Sequence, residues 1–190
     1  MFLIAFIALA VLAVPASGGK LSQLCDLRLK GTRVIFAALA LQVVIISLLP
    51  SGQPGLHQAL HIASYAIAAV FVAMNWRIFG MPLIALGGAC NALAIVANKG
   101  VMPASQAALR AAGELHAAGE FANSTVVAHP RLLFLGDVFA IPASWPLHNV
   151  FSIGDVLIGI GVAMIIHALS GSRLVRGAWK RRAIAGANAA

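Results

Sequence analysis

The sequence predicts an all-α, polytopic membrane protein: a helical bundle of about five transmembrane helices with an outer helical and re-entrant segment. Composition is the first observation behind this prediction, because 61% of the 190 residues are hydrophobic, only 9% are charged and the mean hydropathy is +0.95. In a typical soluble domain about a quarter of the residues carry charge. The second observation is the order of residues along the chain: apolar runs alternate with short basic stretches.

Five apolar segments are the candidate spans, and each of the last four has roughly the 17 to 25 residues that a helix needs to cross a bilayer, counting end residues at the interface. They span residues 1–14, 34–49, 57–76, 82–98 and 150–169. The first ends near a small-residue pattern that is typical of a signal-peptide cleavage site, but no basic residue precedes it. We therefore predict that it is a retained first span.

The basic residues predict an orientation with the N-terminus outside and the C-terminus in the cytoplasm. This orientation leaves only Lys99, Arg110 and Arg131 outside. It puts ten cations inside: Lys20, Arg28, Lys30, Arg33, Arg77, Arg173, Arg176, Lys180, Arg181 and Arg182. The predicted domains are a transmembrane bundle over 1–172 and a basic cytoplasmic tail over 173–190, and the predicted location is the bacterial plasma membrane.

The long connection over residues 99–149 is predicted to be extracytoplasmic. Its Ala-rich part, 104–121, has the spacing of an exposed or interfacial helix, whereas the apolar stretch 132–142 is too short to cross and is predicted to be re-entrant or interfacial. Gly100 and Pro103 disfavour a helix between residues 98 and 103.

Polar side chains inside the apolar segments are the candidate functional residues, because a polar group is costly there. Helical spacing puts His61 and Ser64 on one face of the third segment, and Asn91 and Asn98 on one face of the fourth. Ser152 and Asp155 share a face of the fifth segment, close to Asn149. We predict that these residues meet at one depth, with His61, His148 or Lys99 as the charged partner of Asp155.

Two pairs of residues could indicate a metal site or a catalytic site. His57 and His61 are one helical turn apart, but Gln58 stands where a zinc protease needs a glutamate, which excludes that kind of site. A metal site of another type, using His57, His61 and a carboxylate, is the alternative to two interfacial histidines; the prediction is no metal and no cofactor. Asp137 and Asp155 are the second pattern, because two carboxyl groups that share a proton can act as acid and base.

The surroundings of these two aspartates resemble lipoprotein signal peptidase, a membrane aspartyl peptidase. The residues that carry the resemblance are 87–91, 136–139 and 145–155. The resemblance implies that Asp137 and Asp155 are catalytic. The sequence departs from that family in lacking an Asp-Arg pair after Asn91 and in having Ser152 where an asparagine is expected.

A wider resemblance, over most of the chain, is to an uncharacterised bacterial membrane family, domain of unknown function 5317. It is carried by residues 61–65, 91–103, 135–137 and 149–155, with Lys99 where a small or polar residue is expected. This resemblance implies a compact helical membrane protein and brings no reaction with it.

Three hypotheses for the function follow. The first is an inner-membrane protein whose polar pocket at the outer leaflet binds a lipid-like or peptide ligand, or a membrane partner, through Asn91, Asn98, His61, Ser64, Ser152 and Asn149. The second is an intramembrane aspartyl peptidase using Asp137 and Asp155, and the third is a scaffold subunit of a membrane complex. The expected partners are membrane lipids, another membrane protein or a second copy of the chain, and not nucleic acid.

Overall fold

The computed structural model describes residues 2–26, 28–47, 54–114 and 124–175. Five long helices make up most of this part of the chain: α1 (Phe2–Ala16), α2 (Thr32–Ser47), α3 (Pro54–Met74), α4 (Met81–Ala97) and α6 (Ile153–Leu169). A shorter helix, α5 (Gln106–Ala112), lies between α4 and α6, and two 3₁₀-helices cover Leu21–Asp26 and Leu133–Leu135.

Four short strands form two small sheets between α4 and α6. β1 (Met102–Pro103) pairs in parallel with β2 (Ser124–Thr125), and β3 (Phe139–Ile141) pairs antiparallel with β4 (Asn149–Phe151). α5 packs on the second sheet through a small apolar cluster that includes Leu109 and Val150. The connection between α4 and α6 is therefore a folded unit that lies against the ends of these helices.

The helices pack as α2 on α3, α4 on α6 and α1 on α6, and α3 also contacts α4. The α4–α6 pair is close because glycines face each other across it. A Cβ at Gly87 would collide with the Gly154 carbonyl oxygen, and a Cβ at Gly154 would collide with the Asn91 side chain. Gly87 therefore lets α6 approach α4 more closely than a residue with a side chain would.

The predicted fold class is wrong, although a helix lies at each of the five predicted segments. In the described part of the chain, no helix combines the length and the apolar character that a membrane crossing requires. α1, α2, α4 and α6 have 15, 16, 17 and 17 residues, or about 22 to 26 Å at 1.5 Å per residue, against a hydrocarbon core of about 30 Å. α3 has 21 residues, but its first half carries Gln58, His61 and Ser64.

This finding also corrects the predictions that depend on that fold class. A multi-pass plasma-membrane location is contradicted, and so is an inner-membrane protein with a pocket at the outer leaflet. The hypotheses of an intramembrane aspartyl peptidase and of a membrane-complex scaffold are contradicted with it. The division of the chain at residues 172 and 173 stays a prediction, because residues 176–190 of the tail lie outside the described residues.

The connection over 99–149 differs from its prediction in two places. The helix expected over 104–121 is only α5, which ends where Gly113 adopts a left-handed conformation with φ 70°, and residues 115–121 lie outside the described part. The stretch 132–142 is a 3₁₀ turn followed by strand β3, which hydrogen-bonds with β4. The expected break after residue 97 is confirmed, because Lys99 and Gly100 both have positive φ.

Candidate functional site

Asp155 lies in a closed ring of hydrogen bonds with Ser152 and Asn91. Ser152 caps the N-terminus of α6: its Oγ accepts from the Asp155 amide at 3.0 Å, and its own amide donates to Asp155 Oδ2 at 2.9 Å. Asn91 on α4 donates from Nδ2 to Asp155 Oδ1 at 2.8 Å and accepts from Ser152 Oγ at 2.9 Å. The ring fixes the direction of the Asp155 carboxyl group and joins α4 to α6.

Asp137 is 5% exposed and lies where β1, β2 and the 3₁₀ turn meet. Its amide donates to the Pro103 carbonyl at 2.9 Å, and its carbonyl accepts from the Ser105 amide at 3.0 Å. The hydroxyl of Ser124 in β2 donates to Asp137 Oδ2. Backbone pairing therefore holds this carboxyl group in place, and a serine is its side-chain partner.

Burial raises the pKa of Asp137 to about 6. The hydrogen bond from Ser124 opposes this shift, whereas the negative charges of Asp155 and Glu114 add to it. A carboxyl group with such a pKa gains or loses its proton in a mildly acidic to neutral solution, unlike an exposed aspartate. The charge of Asp155 therefore reaches the Asp137 carboxyl group, and the sequence-based hypothesis that the two act as a catalytic pair stays untested.

Tyr65 on α3 belongs to the same cluster. Burial raises the pKa of its hydroxyl, the charges of Asp155 and Asp137 add to this shift, and the Asn91 side chain opposes it. The phenol is therefore held in its protonated form beside the two carboxyl groups. Sequence analysis did not single out Tyr65, although its position one helical turn after His61 was a signal that could have found it.

The other predicted site residues of α3 serve the helix packing. His61 is 5% exposed and its Nδ1 lies 2.9 Å from the Gly100 carbonyl oxygen. Burial lowers its pKa, and the hydrogen bond to Gly100 opposes the shift. Ser64 donates to the His61 carbonyl at 2.7 Å and accepts from Gln42 of α2 at 3.2 Å. The His61 ring does reach the cluster, since its centroid lies 5.6 Å from that of Tyr65.

Within the described residues, no hydrogen bond joins Asn98 or Asn149 to either carboxyl group. Asn98 donates to the carbonyls of Ala94 and Arg131, both at 2.7 Å, and accepts from the Arg131 amide at 2.9 Å. Asn149 is a strand residue of β4, opposite Ile141. The sequence-based prediction that all the polar residues converge therefore holds for Asn91, Ser152 and Asp155, and not for these two.

The predicted charged partners of Asp155 are wrong, because its carboxyl oxygens accept from an amide side chain and a backbone amide. His61 instead bonds with Gly100. His148 has a side chain 50% exposed, and its Nδ1 lies 3.9 Å from a Glu114 carboxyl oxygen. Within the described residues, no cluster of three or more His, Cys, Asp or Glu side chains could hold a metal ion, and the side chain of His57 lies outside that part.

Comparison with known proteins gives a family and no reaction. Residues 26–167 match the profile of a family of unknown function, DUF5317. No curated protein and no solved structure matches the chain. The local resemblance to lipoprotein signal peptidase receives no support from these comparisons.

Proposed function

This chain belongs to DUF5317, a family of unknown function, and we propose that it binds a small organic cation at Asp137 and Asp155, with exchange of a proton at Asp137. One observation carries the proposal: Asp137 is a buried carboxyl group, 5% exposed, with a pKa of about 6, and the charge of a second carboxyl group, Asp155, acts on it. Perturbed acids of this kind concentrate at functional sites.

The electrostatic surroundings of Asp137 favour a cation as the ligand. The groups that shift its pKa are Ser124, Asp155 and Glu114, in addition to burial, and none of them is a cation. Two carboxyl groups without a countercharge repel each other when both are ionised, and an incoming positive charge removes that repulsion. The Tyr65 phenol is close enough for both carboxylate charges to act on it, and an aromatic ring also attracts ammonium and guanidinium groups.

Binding of a cation is expected to displace the proton of Asp137. A positive charge nearby stabilises the ionised carboxylate, so it lowers the pKa of Asp137 from about 6. At about pH 5 the free site is mostly protonated and binding releases a proton. At about pH 8 the free site is already ionised and binding releases none.

Calorimetric titration of the full chain with a panel of primary ammonium and guanidinium compounds tests this proposal. We expect saturable binding by members of the panel, with proton release at about pH 5, measured from the dependence of the heat on the buffer. Asp137→Asn is expected to weaken binding by about 10-fold or more, as loss of a charged hydrogen-bond partner does. Asp26→Asn is the matched control, because Asp26 is an exposed carboxylate at the end of a 3₁₀-helix.

The carboxyl ¹³C signal of Asp137 gives a second readout that does not depend on the heat of binding. A cation that occupies the site is expected to move the titration midpoint of this signal to lower pH. The proposal is contradicted if no member of the panel moves that midpoint, or if Asp137→Asn binds the panel as tightly as the unmodified chain does.

A further inference from the structure

A basic cavity lies near the start of α4 and the end of α6, away from the carboxyl site. The inference drawn from it does not depend on the function proposed above. Its larger part, about 380 Å³, lies between the C-terminus of α3 and the segment before α2, where Arg28, Lys30, Trp76 and Arg77 line it. An adjoining part of about 270 Å³ shares Arg28 and Arg77 with the first. The two parts therefore lie side by side at the two arginines, and together they are called the basic cavity below.

The charge on the lining of the basic cavity is positive only. Arg28, Lys30 and Arg77 are its ionisable residues, and no carboxylate lines either part. Within the described residues, none of these three cations forms an ion pair with a carboxylate. Three cations whose charges are not paired attract an anion with more than one negative charge.

The backbone that carries Lys30 is held against the end of α3, so the attachment point of one of the three cations is fixed before a ligand arrives. Asn75, which is 3% exposed, accepts from the Lys30 amide at 2.9 Å and donates to the Lys30 carbonyl at 2.8 Å. Its Nδ2 also donates to the Phe71 carbonyl at 2.8 Å. A backbone that is already fixed reduces the entropic cost of binding.

The smaller part of the cavity is apolar apart from the shared arginines. Its walls are Ile78 and Phe79 on the α3–α4 side and Ile165 and Leu169 near the C-terminus of α6. An inorganic ion would leave this part unfilled. A ligand that combines an anionic group with a small apolar or aromatic group would fill both parts.

From this arrangement we propose that the basic cavity binds an organic phosphate monoester. The guanidinium groups of Arg28 and Arg77 can each donate two hydrogen bonds to phosphate oxygens. The Lys30 ammonium supplies a further positive charge for a dianionic phosphate. The organic group of the ester then lies against Phe79 and Leu169 in the smaller part.

Binding of phenyl phosphate to the full chain tests the proposal, with inorganic phosphate and phenol as comparisons. We expect phenyl phosphate to bind saturably and more tightly than inorganic phosphate, and phenol not to bind. Arg77→Gln is expected to weaken phenyl phosphate binding by about 10- to 100-fold, the usual loss for a charged hydrogen-bond donor. Arg110→Gln is the matched control, because Arg110 is an exposed arginine on α5 that does not line the basic cavity.

Trp76 offers a direct optical readout, because it lines the cavity and is 52% exposed. With Trp145 and Trp179 both changed to Phe, Trp76 is the remaining tryptophan of the chain. Its fluorescence should then change with phenyl phosphate at the same midpoint as calorimetry gives. An unchanged circular-dichroism spectrum and melting temperature show that Arg77→Gln is folded.

A phosphate monoester can be a soluble metabolite or a lipid headgroup, and two arms separate these sources. Saturable binding of phenyl phosphate in the absence of lipid indicates a soluble ester. Binding to phosphatidate vesicles but not to phosphatidylcholine vesicles, with loss in Arg77→Gln, indicates a headgroup. The proposal is overturned if neither phenyl phosphate nor phosphatidate vesicles bind, or if Arg77→Gln binds as well as Arg110→Gln does.

Discussion

Among single residues, Asp137 and Asp155 are held in contrasting ways. Asp155 accepts hydrogen bonds on both carboxyl oxygens, from Asn91 and from the Ser152 amide. Asp137 is more deeply enclosed and has Ser124 as its side-chain partner. Burial dominates the pKa of Asp137 for this reason, and the fold favours its protonated form.

The pH dependence of folding should reveal the raised pKa of Asp137. Its pKa is 3.8 without the fold and about 6 in the folded protein. The folded state therefore binds more protons between these values. The contribution of Asp137 to stability is complete below about pH 4 and is lost as the pH rises through 6, by about 3 kcal/mol in total.

Urea unfolding of the chain and of Asp137→Asn, measured from about pH 4 to about pH 8, checks this prediction. The asparagine cannot ionise. As the pH rises, the free energy of unfolding of the unmodified chain should therefore fall relative to that of the variant. His61, whose pKa burial lowers, gives the opposite dependence in both proteins, and it cancels in the difference. A difference that does not vary with pH would contradict the raised pKa.

Among the elements, the α4–α6 pair joins the two proposed sites. Asn91 on α4 contacts the first turn of α6 at the carboxyl site. The far ends of the same two helices border the basic cavity, through Ile78 and Phe79 before α4 and Leu169 at the end of α6. Close packing along this pair therefore positions side chains at both ends.

Two adjacent glycines of α4 give a matched test of that close packing. Gly87→Ala is expected to destabilise the protein by about 1 to 3 kcal/mol, because its Cβ would meet the Gly154 carbonyl and Ile158. Gly88 has nothing within 4 Å of the position of a Cβ, so Gly88→Ala should stabilise by up to about 1 kcal/mol through helix propensity. Both effects are measured by urea unfolding. Equal effects of the two substitutions would show that α4 and α6 are farther apart than the structure places them.

On the scale of the whole molecule, two buried asparagines attach irregular segments to helix ends. Asn75 holds the Lys30 backbone at the end of α3, and Asn98 holds the Arg131 backbone at the end of α4. In each case one carboxamide both donates to and accepts from the backbone of a distant residue. Each asparagine thereby connects a segment that carries site residues to the helical framework.

Asn98→Ala should loosen the segment that contains Asp137 while leaving the helices in place. The substitution leaves the amide and carbonyl of Arg131 without their side-chain partner, at a cost of about 1 to 3 kcal/mol. Amide hydrogen exchange should become faster over residues 124–137 and should change little in α2. Asn149→Ala is the control, because no described hydrogen bond involves the Asn149 side chain. Unchanged exchange over 124–137 in Asn98→Ala would argue against the attachment.

Much of the helical framework could be predicted from the sequence, because helix formation follows local composition and spacing. Each of the five apolar segments contains a helix, and the break after residue 97 follows from Gly100 and Pro103. The grouping of Ser152 with Asp155 is equally local, because a capping serine and an acid three residues later interact within one turn. The prediction that Arg28, Lys30 and Arg77 lie on the cytoplasmic side of a membrane falls with the predicted fold class, and it was the structure that brought them to one cavity.

The sequence by itself thus determined where the helices lie, and which polar residues share a face of each, because both depend on neighbours within a few positions. Tertiary structure decided the rest. It chose Asn91 instead of a cation as the partner of Asp155, brought Ser124 and Tyr65 to the carboxyl groups, and paired residues 149–151 as a strand. These contacts join residues far apart in the chain, and spacing within one segment does not fix which of several polar groups on distant segments will pair.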